Sequence, residues 1–298
     1  MPLEPVARLM DDCTAGGYAI GYFESWNLES LQGVLDAAEQ TRSPIIVGFN
    51  GEFLSHPDRL AAERLTVYGA LGVAAAEASS VPVALIFNEC PRDDWVLAAI
   101  EAGFNLVMPA DPTCPYGEYA QRVRAVVAAA HARNVAVEAE LGELPCGPLS
   151  ESHHAGQPTD PELAARLVHE TGVDLLAVSV GNVHIRLDGQ GDLDLDQLAA
   201  IRARVPIPLV LHGGTGIAPS SLQAAIRLGV AKVNYGTGLK QRYLAALRQR
   251  LESRTLPCNP HAVLGMGGPD DLLVAGRNAV REAVLERLET LGCCGRAT

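Results

Sequence analysis

Short apolar runs of strand type alternate eight times with segments of helical spacing, and this alternation constrains the chain more than any other feature. The runs lie at residues 18–23, 44–49, 81–87, 106–108, 135–139, 175–180, 207–211 and 232–235. They are nearly continuous in Val, Ile, Leu and Phe, as strands covered on both faces are. Between them, residues 28–39, 60–78, 93–102, 118–133, 161–170, 195–204, 220–228 and 239–251 place apolar side chains at helical intervals. Thr159-Asp160-Pro161-Glu162 offers an N-cap, a proline at the first helical position and an early acid. Gly103, Gly172 and Gly229 fall just past predicted helix ends, where a left-handed residue is wanted. Eight strand–helix pairs predict the α/β class and a closed (β/α)8 TIM barrel. An open doubly wound sheet is the alternative, but no GxGxxG follows the first strand. No linker or low-complexity tract divides the 298 residues, so a single domain over 1–298 is expected. A last helix at 270–291 is expected outside the barrel or against a partner subunit.

Composition narrows the partners. A net charge of −12 argues against nucleic acid, which wants a basic face. The seven cysteines are odd in number and show no CxxC spacing. Together with the lack of a signal peptide, that points to a reduced, cytoplasmic setting. No apolar run approaches the roughly 18 residues of a membrane span.

In a barrel of this kind the chemistry sits at the carboxyl ends of the strands. Those ends carry Glu24, Asn50, Asn88 with Glu89, Asp111, Glu140, His184, His212, and Asn234 with Thr237. His184 and His212 each follow an apolar strand, where a neutral imidazole can face the mouth. Two histidines on neighbouring strands, with a carboxylate across the mouth, predict a metal site. After His212 comes Gly213-Gly214-Thr215-Gly216. Glycines at a strand end let backbone N–H groups approach an anion, so this turn reads as a phosphate seat.

Together with Ser43-Pro44, residues 100–104, Val137-Glu138-Ala139-Glu140-Leu141-Gly142, residues 171–174 and Lys232-Val233-Asn234, these motifs resemble the class II, metal-dependent fructose-bisphosphate and tagatose-bisphosphate aldolases. The likeness runs through nearly the whole chain. It implies a (β/α)8 barrel that forms homodimers or homotetramers. It also implies a divalent metal, usually zinc, and cleavage or formation of a ketose bisphosphate through an enediolate of dihydroxyacetone phosphate. A cation at the ketose carbonyl acts there as a Lewis acid. By resemblance, His184 and His212 are metal ligands and Glu140 lines a second cation position. Gly213, Gly214, Thr215 and Thr237 belong to the phosphate seat, and Asn50 and Asn234 to the substrate contacts.

The third strand departs from this pattern. The family ends it His-Leu-Asp-His-Gly, whereas this chain reads Ile86-Phe87-Asn88-Glu89-Cys90. Asn88 replaces the acid/base, and an amide cannot take a proton from a hydroxyl at neutral pH. Glu89 replaces a histidine ligand; two histidines with a glutamate form an established catalytic set for zinc and for non-haem iron. Ala110 stands where the family has an aspartate, Ile185 where it has a glycine, and Gly236 where an acid or amide is usual. The substitutions gather at the mouth while the framework stays intact.

The expectation is therefore a metal-dependent lyase acting on a phosphorylated sugar or sugar-like ketose other than the usual bisphosphate. Glu89, His184, His212 and Glu140 would hold the metal, Zn2+ first, with Fe2+, Mn2+ or Co2+ as alternatives. Asn88 would orient a hydroxyl, and Asp111, Glu24, Glu143 or Glu151 would move the proton. Expected partners are a phosphorylated small molecule and further copies of the chain, with no nucleic acid and no membrane. The competing readings are an isomerase, epimerase, eliminase or iron-dependent oxidase on the same scaffold, or a non-catalytic sugar-phosphate-binding subunit.

Overall fold

A computed structural model describes residues 3–144, 156–183, 189–253 and 257–297. Eight parallel strands close into a barrel in chain order. They are β1 (Ile20–Glu24), β2 (Ile45–Asn50), β3 (Val83–Cys90), β4 (Leu106–Pro109), β5 (Ala136–Leu141), β6 (Leu175–Val178), β7 (Leu209–Leu211) and β8 (Val230–Tyr235). The expected TIM barrel is present, and all eight apolar runs became strands. Strands β3 and β5 run past their apolar stretches to take in Asn88, Glu89 and Glu140. Hydrophobicity marks the buried part of a strand, and the polar tips continue the same hydrogen-bond ladder.

The helices are α1 (Val6–Gly16), α2 (Leu28–Thr41), α3 (Gly51–Ser55), α4 (Leu65–Ala78), α5 (Asp93–Glu101), α6 (Tyr116–His131), α7 (Pro161–Thr171), α8 (Leu195–Arg202), α9 (Pro219–Arg227), α10 (Thr237–Glu252), α11 (Pro260–Val263) and α12 (Leu272–Leu291). Asp160 caps α7 by accepting from Leu163 N, and Pro161 follows as the first helical residue, as the sequence predicts. Helix α4 starts five residues later than expected. Leu60 is fully solvent-exposed, so the early part of that apolar pattern has no surface to bury against. Helix α1 is an addition to the expected order; it buries Val6, Leu9, Met10 and Cys13. The C-terminal helix α12 packs outside the barrel, on α2 and α10 of the same chain. Among the described residues no helix is long and apolar enough to cross a membrane.

Carrying the strand register around the ring sorts the inward side chains into layers of four from alternate strands, as barrels of this type do. A lower layer holds Tyr22, Ile86, Glu138 and Val210. Above it come Gly48, Met108, Ala177 and Asn234. The layer at the mouth is Glu24, Asn88, Glu140 and His212, contributed by β1, β3, β5 and the residue after β7. An all-polar layer is unusual in a core that is otherwise branched and apolar. It is the geometric reason the strand-end residues meet.

Candidate active site

His212 is the centre of the mouth. It is 1% exposed, and two carboxylates face one of its nitrogens: Glu89 Oε1 and Glu140 Oε1 each lie 3.2 Å from Nδ1. On the other side, Nε2 lies 3.0 Å from Glu138 Oε1. Glu138 is fully buried, and its second oxygen is 2.8 Å from the equally buried Lys232 ammonium. Lys232 Nζ also donates to Asn234 Oδ1 at 2.6 Å and lies 5.2 Å from the centre of the Tyr22 ring.

Electrostatics follow from this packing. Burial is the largest effect on Glu138 and would raise its pKa, but Lys232 and His212 outweigh it and hold the carboxyl below its ordinary range. Burial likewise dominates at Lys232 and lowers it, against the pull of Glu138. At His212 burial pulls down, yet Glu140, Glu138 and Glu89 together push the imidazole up to about 10. The metal-free ring is thus a cation held among three carboxylates.

Glu89 has a distorted backbone. Its φ is +53°, in the left-handed region, and the β3–β4 register shifts between Phe87 and Cys90. Left-handed geometry is costly for a side chain with a Cβ, and such outliers gather at functional sites. Asn50 holds the carboxylate in place: its Nδ2 donates to Glu89 Oε2 at 2.8 Å, while its Oδ1 accepts from Phe53 N at the start of α3.

The remaining predicted residues separate into two groups. Asn88 and Asn234 line the inside of the barrel, 2% and 7% exposed. Asp111 turns outward and is taken up by others: Arg122 Nη1 lies 2.9 Å away, and the Thr113 amide and hydroxyl both donate to it. Burial alone would raise its pKa; those donors lower it below the ordinary carboxylate value. Glu24 sits at the mouth 2.6 Å from the Lys240 ammonium of α10, pressed against Gly236, where no Cβ would fit. Glu143 shares a 320 Å³ cleft with Asp111 and Glu140 and is bridged to Gln157. His184, Ile185 and Glu151 lie outside the described residues.

The glycine turn has a clear structural basis. Gly213 is left-handed, at φ +67°, and a Cβ there would strike the Val183 carbonyl oxygen. Gly214–Gly216 then forms one turn of 3-10 helix. Thr215 packs beside Gly238, next to Thr237 at the start of α10, so Thr215 and Thr237 stand close together.

Donor chemistry fits a divalent cation. Ligand atoms each about 2.0–2.2 Å from one tetrahedral ion stand roughly 3.2–3.5 Å from one another, and the two N–O separations at His212 Nδ1 are 3.2 Å. The Glu138 carboxylate behind Nε2 is the outer partner that metal-binding histidines have. Among the described residues no three His, Cys, Asp or Glu side chains form a finished metal-holding group; here the three donors close on one another directly.

Sequence reasoning missed Glu138, Lys232, Tyr22 and Lys240 as site residues. For the first two a signal existed. Glu138 is two residues before Glu140, and Lys232 two before Asn234, so each pair shares one face of its strand.

Comparison with known proteins agrees with this architecture. Residues 4–296 match the family of fructose-bisphosphate aldolase class-II. A fructose-bisphosphate aldolase of Geobacillus stearothermophilus is 32% identical over 300 residues, covering 100% of this chain and 99% of that protein. One from Thermus caldophilus is 33% identical, over 97% of this chain and 98% of its own length. The crystal structure of the YdjI aldolase from Escherichia coli K12 superposes with a TM-score of 0.81 at 30% identity, each chain covered in full.

Proposed function

The chain belongs to the class II fructose-bisphosphate aldolase family, and on that premise we propose that it is a metal-dependent lyase that cleaves a sugar-like ketose by a retro-aldol step. The observation that carries this reading is the convergence of Glu89 and Glu140 on His212 Nδ1, with Nε2 anchored by the buried Glu138–Lys232 pair. Glu89, His212, Glu140 and His184 would hold the cation. Bound there, a divalent ion supplies Lewis acidity to the ketose carbonyl.

This chain's own groups do the rest. Asn88 and Asn234 orient substrate hydroxyls from inside the barrel. A carboxylate takes the proton from the hydroxyl next to the scissile bond, the carbon–carbon bond breaks, and its electron pair moves toward the carbonyl to give an enediolate. An aldehyde leaves, and a proton returns to carbon. Of the four carboxylates considered for that proton, Asp111 is engaged by Arg122 and Glu24 by Lys240. Glu143, in the cleft with Glu140, is the one we assign. The Gly213–Thr215 turn with Thr237 would seat the phosphate of a phosphorylated ketose.

The test is turnover by zinc-loaded protein on fructose and tagatose bisphosphates and on ketose 1-phosphates, with the released triose measured. Asn88→Asp restores an acid/base at the third strand and should raise bisphosphate cleavage at least tenfold. Protein that retains no divalent metal after addition and dialysis would rule the reading out. Turnover only with iron and oxygen would favour the oxidase alternative.

A further inference from the structure

Three buried polar atoms inside the barrel have no hydrogen-bond partner among the described residues: Tyr22 Oη, Asn88 Oδ1 and Asn234 Nδ2. Their residues are 2%, 2% and 7% exposed. A buried donor or acceptor without a partner is costly, and its persistence needs a reason. Asn88 and Asn234 already belong to the lyase reading, but Tyr22 does not. It comes from β1, directly beside Asn234 in the β1–β8 register. The layer between Tyr22 and the mouth contains Gly48 and Ala177, and these two small residues leave the barrel axis open above the ring.

We propose that the Tyr22 hydroxyl, together with Asn88 Oδ1 and Asn234 Nδ2, forms the floor of the ligand site and binds an uncharged, hydroxyl-bearing stretch of the substrate. The floor offers one acceptor, one donor and one group that does both. A substrate hydroxyl, itself donor and acceptor, can satisfy such a set. A carboxylate or phosphate cannot, because its oxygens only accept and would face Asn88 Oδ1. The carboxylates of Glu24, Glu89 and Glu138 also act on the Tyr22 hydroxyl, and they repel an anion at the same place. The Lys232 ammonium is not available to offset this, since Glu138 and Asn234 hold it. The phosphate of the substrate is therefore kept away from the barrel axis, and the polyol carbons are drawn into it. This inference rests on the ketose reading above.

Tyr22→Phe tests it, because the ring and its contact with Lys232 survive. Two measurements are made on zinc-loaded wild type and variant: calorimetric binding of dihydroxyacetone, an uncharged ketotriose, and the melting temperature without ligand. The expected result is about tenfold weaker binding with a melting temperature unchanged or raised by up to about 3 °C, since an unsatisfied buried hydroxyl has been removed. Equal affinity in both proteins, no binding by the wild type, or a melting temperature lowered by several degrees overturns the proposal. Binding without any turnover would defeat the lyase reading and leave the Tyr22 assignment standing.

Discussion

Single residues in this barrel act through partners brought from distant parts of the chain. Lys232 and Glu138 neutralise one another with no access to water, so removing one leaves the other as an uncompensated buried charge. Lys232→Met should cost about 3–5 kcal/mol in urea unfolding. The double variant with Glu138→Gln should recover much of that loss, and failure to recover would show that the pair is not the source. Glu89 gives a second expectation. Glu89→Ala and Glu89→Gly both lose the hydrogen bond from Asn50, but only glycine is at ease at φ +53°. The glycine variant should be about 1 kcal/mol more stable than the alanine one, and both should lose zinc. Equal stability of the two would mean the backbone relaxes. Of these residues, Glu89 was legible from its place at a strand end. Its strain was not, because a register shift between β3 and β4 is a property of two strands and not of one.

At the scale of elements, function is carried by strand ends and by the turns that follow them. The turn after β7 depends on Gly213 for two separate reasons, its left-handed backbone and the nearness of the Val183 carbonyl. Gly213→Ala should destabilise the chain by 2 kcal/mol or more, on the order expected where conformation and space are both denied. Chemical denaturation would show this, and a wild-type midpoint would contradict it. The strands and most helices were readable from periodicity, including the cap at Asp160. The start of α4 was misjudged because Leu60 looks like a core residue but has nothing to pack against. Helix α1 escaped notice because its amphipathic pattern precedes the first strand and lies outside the repeating unit.

For the whole molecule, the charges at the mouth make stability depend on pH. In the metal-free state His212 is raised from an ordinary value near 6.5 to about 10. Its contribution is complete below about pH 6.5 and is lost as pH climbs through about 10. Glu138 is lowered, so its contribution is present above the ordinary carboxylate value of 4.5 and is lost as pH falls below it. The metal-free protein should be most stable between about pH 5 and 6.5, with a melting temperature that declines on the alkaline side. A cation binding at His212 displaces its proton, so the rise in melting temperature on adding zinc should be larger at pH 9 than at pH 6. A zinc effect independent of pH would place the cation away from His212.

The sequence alone determined the barrel and its rim. The eightfold alternation of apolar runs and helices is a local property of the chain, and it allows few closed arrangements. The glycine turn after His212 and the altered pair Asn88 and Glu89 were likewise visible without coordinates. Only the tertiary structure decided which of those residues work together. Layer membership depends on the stagger of strands around a closed ring, which brings Glu24, Asn88, Glu140 and His212 level although they are 188 residues apart from first to last. Charge partners depend on distance through space. Arg122 thus removes Asp111 from the list of free bases, Lys240 does the same to Glu24, and the inward alternation of β1 puts Tyr22 beneath the mouth.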